Sequence, residues 1–265
     1  MAYLILSIVI GLIVLFFFIN VKKNRFSQEN VLVGIYQSLK SSLPLQYRYF
    51  KPETRENQLY PLLIFLHGSR QRGTDNNSHL NEESLFWVGR HVQEKYPSFV
   101  ILPQCPNTKK WVNTTDTVYP FNNYNQDAIP ESEILKALIG LIHEFTNQYP
   151  IDVNRIYISG FSMGGSGAWD LLTRHPEMFA AAVIIAGASD PNKAFTITHI
   201  PIKVFNGELD HIIPPKLNMK MSNEINKLGG KCEITVLKGE WHECVMKAFQ
   251  TPGLVDWLFE KKKNE

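Results

Sequence analysis

The residues in this chain best suited to chemistry are a serine, an aspartate and a histidine, each just beyond an apolar run. Ser162 stands in Gly160-Phe161-Ser162-Met163-Gly164, a G-x-S-x-G pattern between the strand-like stretch Val153–Ile158 and a helix-compatible stretch from Met163. A strand–turn–helix elbow of this kind lifts a serine hydroxyl into the open, and the glycines two before and two after it keep the strained turn free of clashes. Asp210 follows the run Ile200–Phe205, and His242 follows Glu233–Leu237. The chain order is therefore Ser, Asp, His, with room for one or two β–α units between partners.

These residue types fit covalent hydrolysis. A serine hydroxyl becomes a useful nucleophile only when an imidazole accepts its proton, and the imidazole needs a carboxylate to fix its tautomer. The oxyanion formed on the attacked carbonyl needs preorganised N–H donors. One candidate is the backbone N–H of Met163. The other belongs in His67-Gly68-Ser69, after the buried run Pro61–Leu66; the Ser69 N–H is favoured, with Gly68 allowing close approach. Each assignment has a plainer rival. Ser162 could be an ordinary helix cap, although glycines on both sides argue against it. Asp210 could merely shape a turn, and Asp190, also after a strand, competes for the acid role. Among eight histidines His242 alone combines a late position with a strand-to-helix loop. His67 reads as a brace for the oxyanion loop, His211 as a loop residue and His143 as a surface or boundary residue. His79, Asp127 and Glu208 could in principle assemble a metal site, but they have no metal-ligand spacing, so no metal is expected.

The elements needed to hold these residues can be read along the chain. Leu45–Phe50 alternates as an edge strand does, whereas Pro61–Leu66 and Phe99–Leu102 are continuous apolar runs of strands covered on both faces. Glu131–Tyr149 carries a helical apolar stripe stopped by Pro150. After the elbow come strands at Phe179–Ala186, Ile200–Phe205 and Glu233–Leu237. Helices are expected from Met163 to His175, over Pro215–Leu228, and over Glu243–Glu260 with a break at Pro252-Gly253. Alternating strands and helices imply a mostly parallel sheet with helices on both faces and its site at the carboxyl ends of the strands. Asn107–Pro130 has no clear period. Its aromatics, Trp111 and Tyr124 among them, suggest a substrate-pocket wall or cap, with a satellite cluster packed on the core as an equal alternative.

The 265 residues suffice for one large α/β domain, here placed at 45–260, after a tether with the first irregular strands at 22–44 and before a polar tail at 261–265. A net charge of +2 gives no electrostatic reason to expect nucleic acid. Cys105, Cys232 and Cys244 form no C-x-x-C pair, so they leave at most one disulfide or three free thiols. Residues 1–21 are almost wholly apolar and lead into Lys22, Lys23 and Arg25. A run of about 20 such residues can cross a bilayer as a helix, and no small-x-small cleavage site closes it. A retained single-pass N-terminal transmembrane anchor is expected. The basic cluster puts the following domain on the cytoplasmic side, with an outward-facing or secreted form left open. The sequence does not set the oligomeric state.

The chain resembles the α/β-hydrolase superfamily. Within it, the similarity is to the carboxylesterase, dienelactone-hydrolase and polyhydroxybutyrate-depolymerase-like branch, which merges with prolyl-oligopeptidase-like catalytic domains. Phe65–Ser69, Arg72-Gly73-Thr74-Asp75-Asn76, Gly160–Gly165, Asn206–Asp210 with Ile213-Pro214, and Trp241-His242 carry the likeness. Relatives of this kind commonly have a glycine where Arg70 stands. The resemblance implies cofactor-free hydrolysis of esters, thioesters or amides. The expected substrate is a small or medium acyl ester, with peptidase or acyltransferase activity as the alternative. A catalytically silent domain that binds a ligand or partner is the competing class, and the presence of all three residues counts against it.

Overall fold

The computed structural model describes residues 30–38, 44–114 and 125–263. The proposed anchor over residues 1–21 and the pocket candidate Tyr124 lie outside the described residues. Among the described residues no helix is long and apolar enough to cross a membrane.

Eight strands form one sheet: β1 (Leu32–Tyr36), β2 (Leu45–Phe50), β3 (Tyr60–Leu66), β4 (Phe99–Gln104), β5 (Ile151–Phe161), β6 (Ala181–Ile185), β7 (Ile202–Gly207) and β8 (Cys232–Leu237). Their spatial order is β1-β2-β4-β3-β5-β6-β7-β8. β1 and β2 enter antiparallel, and every pairing from β4 to β8 is parallel. This is the α/β-hydrolase fold with a mostly parallel sheet. The helices are α1 (Glu82–Leu85), α2 (Arg90–Gln93), α3 (Glu133–Gln148), α4 (Met163–Arg174), α5 (Pro215–Lys227), α6 (Val245–Phe249) and α7 (Leu254–Phe259).

The period of two along β3 explains the two-sided core. Leu62, Ile64 and Leu66 join a cluster with Leu135, Leu138 and Ile142 of α3 and Leu171 and Leu172 of α4. Leu63 and Phe65 face the opposite cluster, with Trp87, Phe249, Leu254 and Leu258. Every residue of β3 is buried, as its uninterrupted apolar sequence requires. The α3 stripe buries Ile134, Leu138, Leu141 and Phe145, and Ser132 caps the helix by accepting from the Leu135 N–H.

Several boundaries differ from the sequence reading. β5 runs on to Phe161, so the strand leads straight into the elbow. The C-terminal helical stretch breaks at Pro252-Gly253 as expected, Gly253 having φ +75°, and its two helices are shorter than the stretch Glu243–Glu260. The short helices α1 and α2, four residues each, have no sequence counterpart, because a single turn shows no periodicity. The stretch before the domain holds a paired edge strand, β1.

Candidate active site

The strand ends deliver the candidate residues to one cleft. Ser162 joins β5 to α4 with φ +56° and ψ −117°, a conformation costing a non-glycine residue on the order of 1–3 kcal/mol. The surroundings over-determine this turn. A Cβ on Gly160 would lie 2.3 Å from the Gly164 carbonyl oxygen, and one on Gly164 would lie 1.9 Å from the Leu66 carbonyl oxygen. The glycines of G-x-S-x-G thus let α4 start hard against both its own strand and the end of β3. The Ser162 N–H donates to Ile185 O at 2.9 Å, pinning the elbow to the end of β6.

His242 meets both partners. Its Nε2 lies 2.7 Å from Ser162 Oγ, and its Nδ1 lies 2.8 Å from Asp210 Oδ2. The carboxylate is positioned by its own loop: Asp210 Oδ1 accepts the N–H groups of Ile212 and Ile213 at 2.8 and 2.9 Å. With Oδ1 committed to two backbone donors, Oδ2 is left for the imidazole. The Nδ1–H then donates to Asp210, and Nε2 is free to accept from the serine hydroxyl. All three side chains are buried, with only an edge of Ser162 and His242 open to the cleft. The Phe161 ring lies 5.3 Å from the imidazole.

Asp190 has other duties. Its Oδ2 accepts from the Gln126 N–H at 2.9 Å and its Oδ1 from the Asn192 N–H at 3.0 Å, so it caps a turn and ties down residues 125–128.

The loop after β3 is held as a unit. His67 is fully buried; its Nε2 is 3.0 Å from the Cys105 backbone nitrogen and its Nδ1 is 2.7 Å from Gly68 O. A backbone N–H can only donate, so Nε2 accepts and the proton sits on Nδ1. Burial pushes the His67 pKa down to about 3, which keeps the ring neutral for both bonds. Arg72 Nε donates to Ser69 O at 3.1 Å, and its Nη1 reaches Asn107 O and Lys109 O. Asp75 ends the loop by accepting from the Asn77 and Ser78 N–H groups and Gln104 Nε2, and these bonds with the Ser78 hydroxyl hold its carboxyl well below the usual range. The backbone N–H groups of Ser69 and Met163 make no hydrogen bond among the described residues. They remain available as oxyanion donors.

Gly68, Ser69, Phe161, Ser162 and His242 line a cleft of about 140 Å³, with Arg70, Glu83, Ile212 and Glu243 at its sides. The structure moves Trp111 away from the expected pocket wall. Its side chain is fully buried in the core, and its Nε1 donates to His67 O at 3.0 Å. An indole offers a large apolar body and one donor, and here both are spent behind the oxyanion loop. The metal candidates are likewise separate. His79 bonds Leu102 O, Asp127 pairs with Lys193, and Glu208 accepts from the Gly239 N–H.

Some positioning residues were given no role from the sequence. Trp169 Nε1 donates to Asn218 Oδ1, Asn218 Nδ2 to Asn206 Oδ1, and Asn206 Nδ2 to Ile213 O, all buried. This chain fixes the loop on which Asp210 sits. A Cβ on Gly207 would lie 2.1 Å from Trp241 O, so this glycine admits the His242 loop beside the end of β7. Asn206 and Gly207 belong to the Asn206–Asp210 stretch at a strand end that carries the family likeness, and that was the signal for these roles.

A model of the phospholipase/carboxylesterase family matches residues 50–252, a span that includes the cleft and all three candidate residues. The chain belongs to this family. That membership places it among hydrolases of the α/β-hydrolase fold, in the carboxylesterase-like branch. The chain spans less than a third of the length of the curated relative it matches. It is 28% identical over 156 residues to a poly(3-hydroxybutyrate) depolymerase of Ralstonia pickettii, covering 56% of this chain but 29% of that protein. A thermostable esterase of known structure is 32% identical with a TM-score of 0.80, over 89% of this chain and 64% of that one. A ferulic acid esterase from Anaeromyces mucronatus, at 16% identity and TM-score 0.65, shares the fold over 90% of this chain and 94% of its own.

Proposed function

We propose that this protein is a serine carboxylesterase, with Ser162 as nucleophile, His242 as general base and acid, and Asp210 as the group that orients the imidazole. The observation that carries the reading is the continuous path from Asp210 Oδ2 through His242 to Ser162 Oγ, with contacts of 2.8 and 2.7 Å. Ser162 Oγ attacks the ester carbonyl while its proton passes to His242 Nε2. The negative charge on the carbonyl oxygen is met by the N–H groups of Met163 and Ser69. Collapse of the tetrahedral species breaks the acyl–oxygen bond, and the leaving alkoxide takes the proton from His242. Water then gives a proton to His242 and attacks the acyl-enzyme, and the returning proton restores Ser162 as the acid departs. No cofactor enters this cycle.

The reading of small or medium acyl esters rests on the short cleft of about 140 Å³ beside Ser162 and His242. Residues 1–21 are proposed to anchor the protein to a membrane, with the basic cluster Lys22, Lys23 and Arg25 favouring a cytoplasmic domain.

Hydrolysis of p-nitrophenyl esters of increasing acyl length, beside labelling by a fluorophosphonate probe, tests the reading. Turnover and labelling that both vanish in Ser162→Ala support it. Turnover unchanged in Ser162→Ala would sink it. A folded protein with neither turnover nor labelling would instead be a ligand-binding domain. Alkaline extraction of membranes expressing the chain, with and without residues 1–21, tests the anchor.

A further inference from the structure

Glu83 is an acid in the cleft wall whose carboxylate is only partly engaged: the Asn81 side chain bonds it, and one oxygen is left over. It lies in α1, whose cap is already complete: Asn81 Oδ1 accepts from the Ser84 N–H, and Ser84 Oγ accepts from the Asn81 N–H. Glu83 makes no ion pair among the described residues, and its Oε2 is buried without a hydrogen-bond partner. The one arginine lining the same cleft, Arg70, is taken by Glu243, with Nη1 3.2 Å from Oε1 at the exposed lip. Among the described lining residues, two carboxylates and one guanidinium stand near Ser162 and His242. Burial raises the Glu83 carboxyl above its ordinary range, the Asn81 side chain opposing this in part. A buried carboxylate oxygen without a donor is costly, and a donor arriving with a ligand would recover that cost.

We propose that Glu83 is a specificity residue, its carboxylate in the cleft wall accepting a hydrogen bond from a hydroxyl or ammonium group carried by the substrate near the scissile ester. This rests on the reading of Ser162 as the nucleophile. The cleft then prefers esters with a donor on the acyl or alcohol side over alkyl esters of the same shape. The Arg70–Glu243 pair stands at the lip of the cleft.

The test uses the full chain and two isosteric series, with hydrolysis followed by acid release. Methyl butanoate, methyl 3-hydroxypropanoate and methyl 3-aminopropanoate vary the acyl side; propyl acetate and 2-hydroxyethyl acetate vary the alcohol side. In the wild type, kcat/KM is expected to favour the donor-bearing ester by at least about tenfold in one series, the low end for a hydrogen bond to a charged group. In Glu83→Leu the ratio falls towards one. In Glu83→Gln, which keeps the shape and one acceptor, the preference for the ammonium ester is lost and that for the hydroxyl ester is partly kept. The relative size of the two preferences in the wild type tells which donor the site takes. No preference in either series, or a preference that survives both variants, overturns the inference while leaving the hydrolase reading intact. No turnover of any ester, with no fluorophosphonate labelling, removes both.

Discussion

Asp210→Asn separates the two aspartates that the sequence left in competition. In the native site Oδ1 accepts from Ile212 and Ile213, and Oδ2 accepts from His242 Nδ1–H. A carboxamide has only one acceptor oxygen. Turning its NH₂ towards the two backbone donors would leave both buried N–H groups unpaired, at about 1–3 kcal/mol each. The oxygen therefore stays with the backbone, and the NH₂ faces His242 Nδ1. Nδ1 must then accept, so the imidazole proton moves to Nε2, where it points at Ser162 Oγ and cannot be exchanged for the hydroxyl proton. Loss of the productive tautomer in a site of this type costs about 10⁴ in kcat, or about 5 kcal/mol of barrier. Purified Asp210→Asn should hydrolyse p-nitrophenyl acetate about 10⁴-fold more slowly than wild type while remaining folded by circular dichroism. Asp190→Asn, which loses one of the bonds to Gln126 and Asn192, should keep kcat within about threefold and lower stability by about 1 kcal/mol, the worth of a single hydrogen bond. An Asp210→Asn variant retaining more than a tenth of wild-type kcat, or an Asp190→Asn variant losing as much, refutes the tautomer argument.

Other consequences follow from buried groups and tight approaches. Gly164→Ala places a methyl 1.9 Å from Leu66 O, a backbone atom that cannot swing aside, so a loss of at least about 3 kcal/mol and of the probe-reactive serine is expected. Gly239→Ala, at φ +73° with open space around it, should cost about 1–2 kcal/mol and spare activity; thermal melts and probe labelling of both variants check this contrast. His67 is neutral when folded down to pH about 3, whereas unfolded it protonates below about 6.5. The unfolded chain thus binds an extra proton between those values, and stability from this site is full above pH 6.5 and declines as pH falls. In urea titrations between pH 6 and 4, His67→Gln should flatten the slope of unfolding free energy against pH by about 1.4 kcal/mol per unit. The thiols of Cys105, Cys232 and Cys244 are buried and pushed up to about 12, 11 and 12, so Ellman's reagent at pH 8 should find none in the native protein and three in guanidinium.

The fold was legible wherever burial on both faces left a plain chemical trace. Pro61–Leu66 could be read as a central strand because no polar residue interrupts it, and α3 because its stripe keeps a helical period to Pro150. The three residues of the cleft were legible for a related reason: each follows such a strand, and strand ends are where a parallel sheet presents side chains to a common crevice. What the sequence concealed depends on contacts between distant segments. Trp111 reads as a pocket aromatic from its polar surroundings, yet its burial is decided by the His67 carbonyl, 44 residues away. Asn206 and Asn218 look like ordinary polar residues until α5 brings them together at 2.6 Å. No local period records such meetings.

The same distinction explains why the elbow can be strained at all. Ser162 holds a left-handed φ that its own side chain resists, and nothing in the five residues of its motif supplies a compensating bond except the room that the glycines leave. The compensation comes from four strands. β6 accepts the Ser162 N–H at Ile185 O, β3 ends against the Gly164 backbone, and β7 with β8 delivers the Asp210 and His242 loops to the open side of the turn. Relaxing the turn would break the bond to β6 and open a gap under the oxyanion loop, so the sheet holds the serine in place as firmly as its own core is packed. On this view, substitutions that loosen the β5–β6 edge should lower fluorophosphonate labelling before they lower the melting temperature. Ala182, fully buried between Ile158 and Ile202 in adjoining strands, is the position for that measurement. Ala182→Gly removes a buried methyl and weakens the strand without touching the cleft. Labelling that falls only in step with global unfolding would show that the elbow's strain is held locally instead.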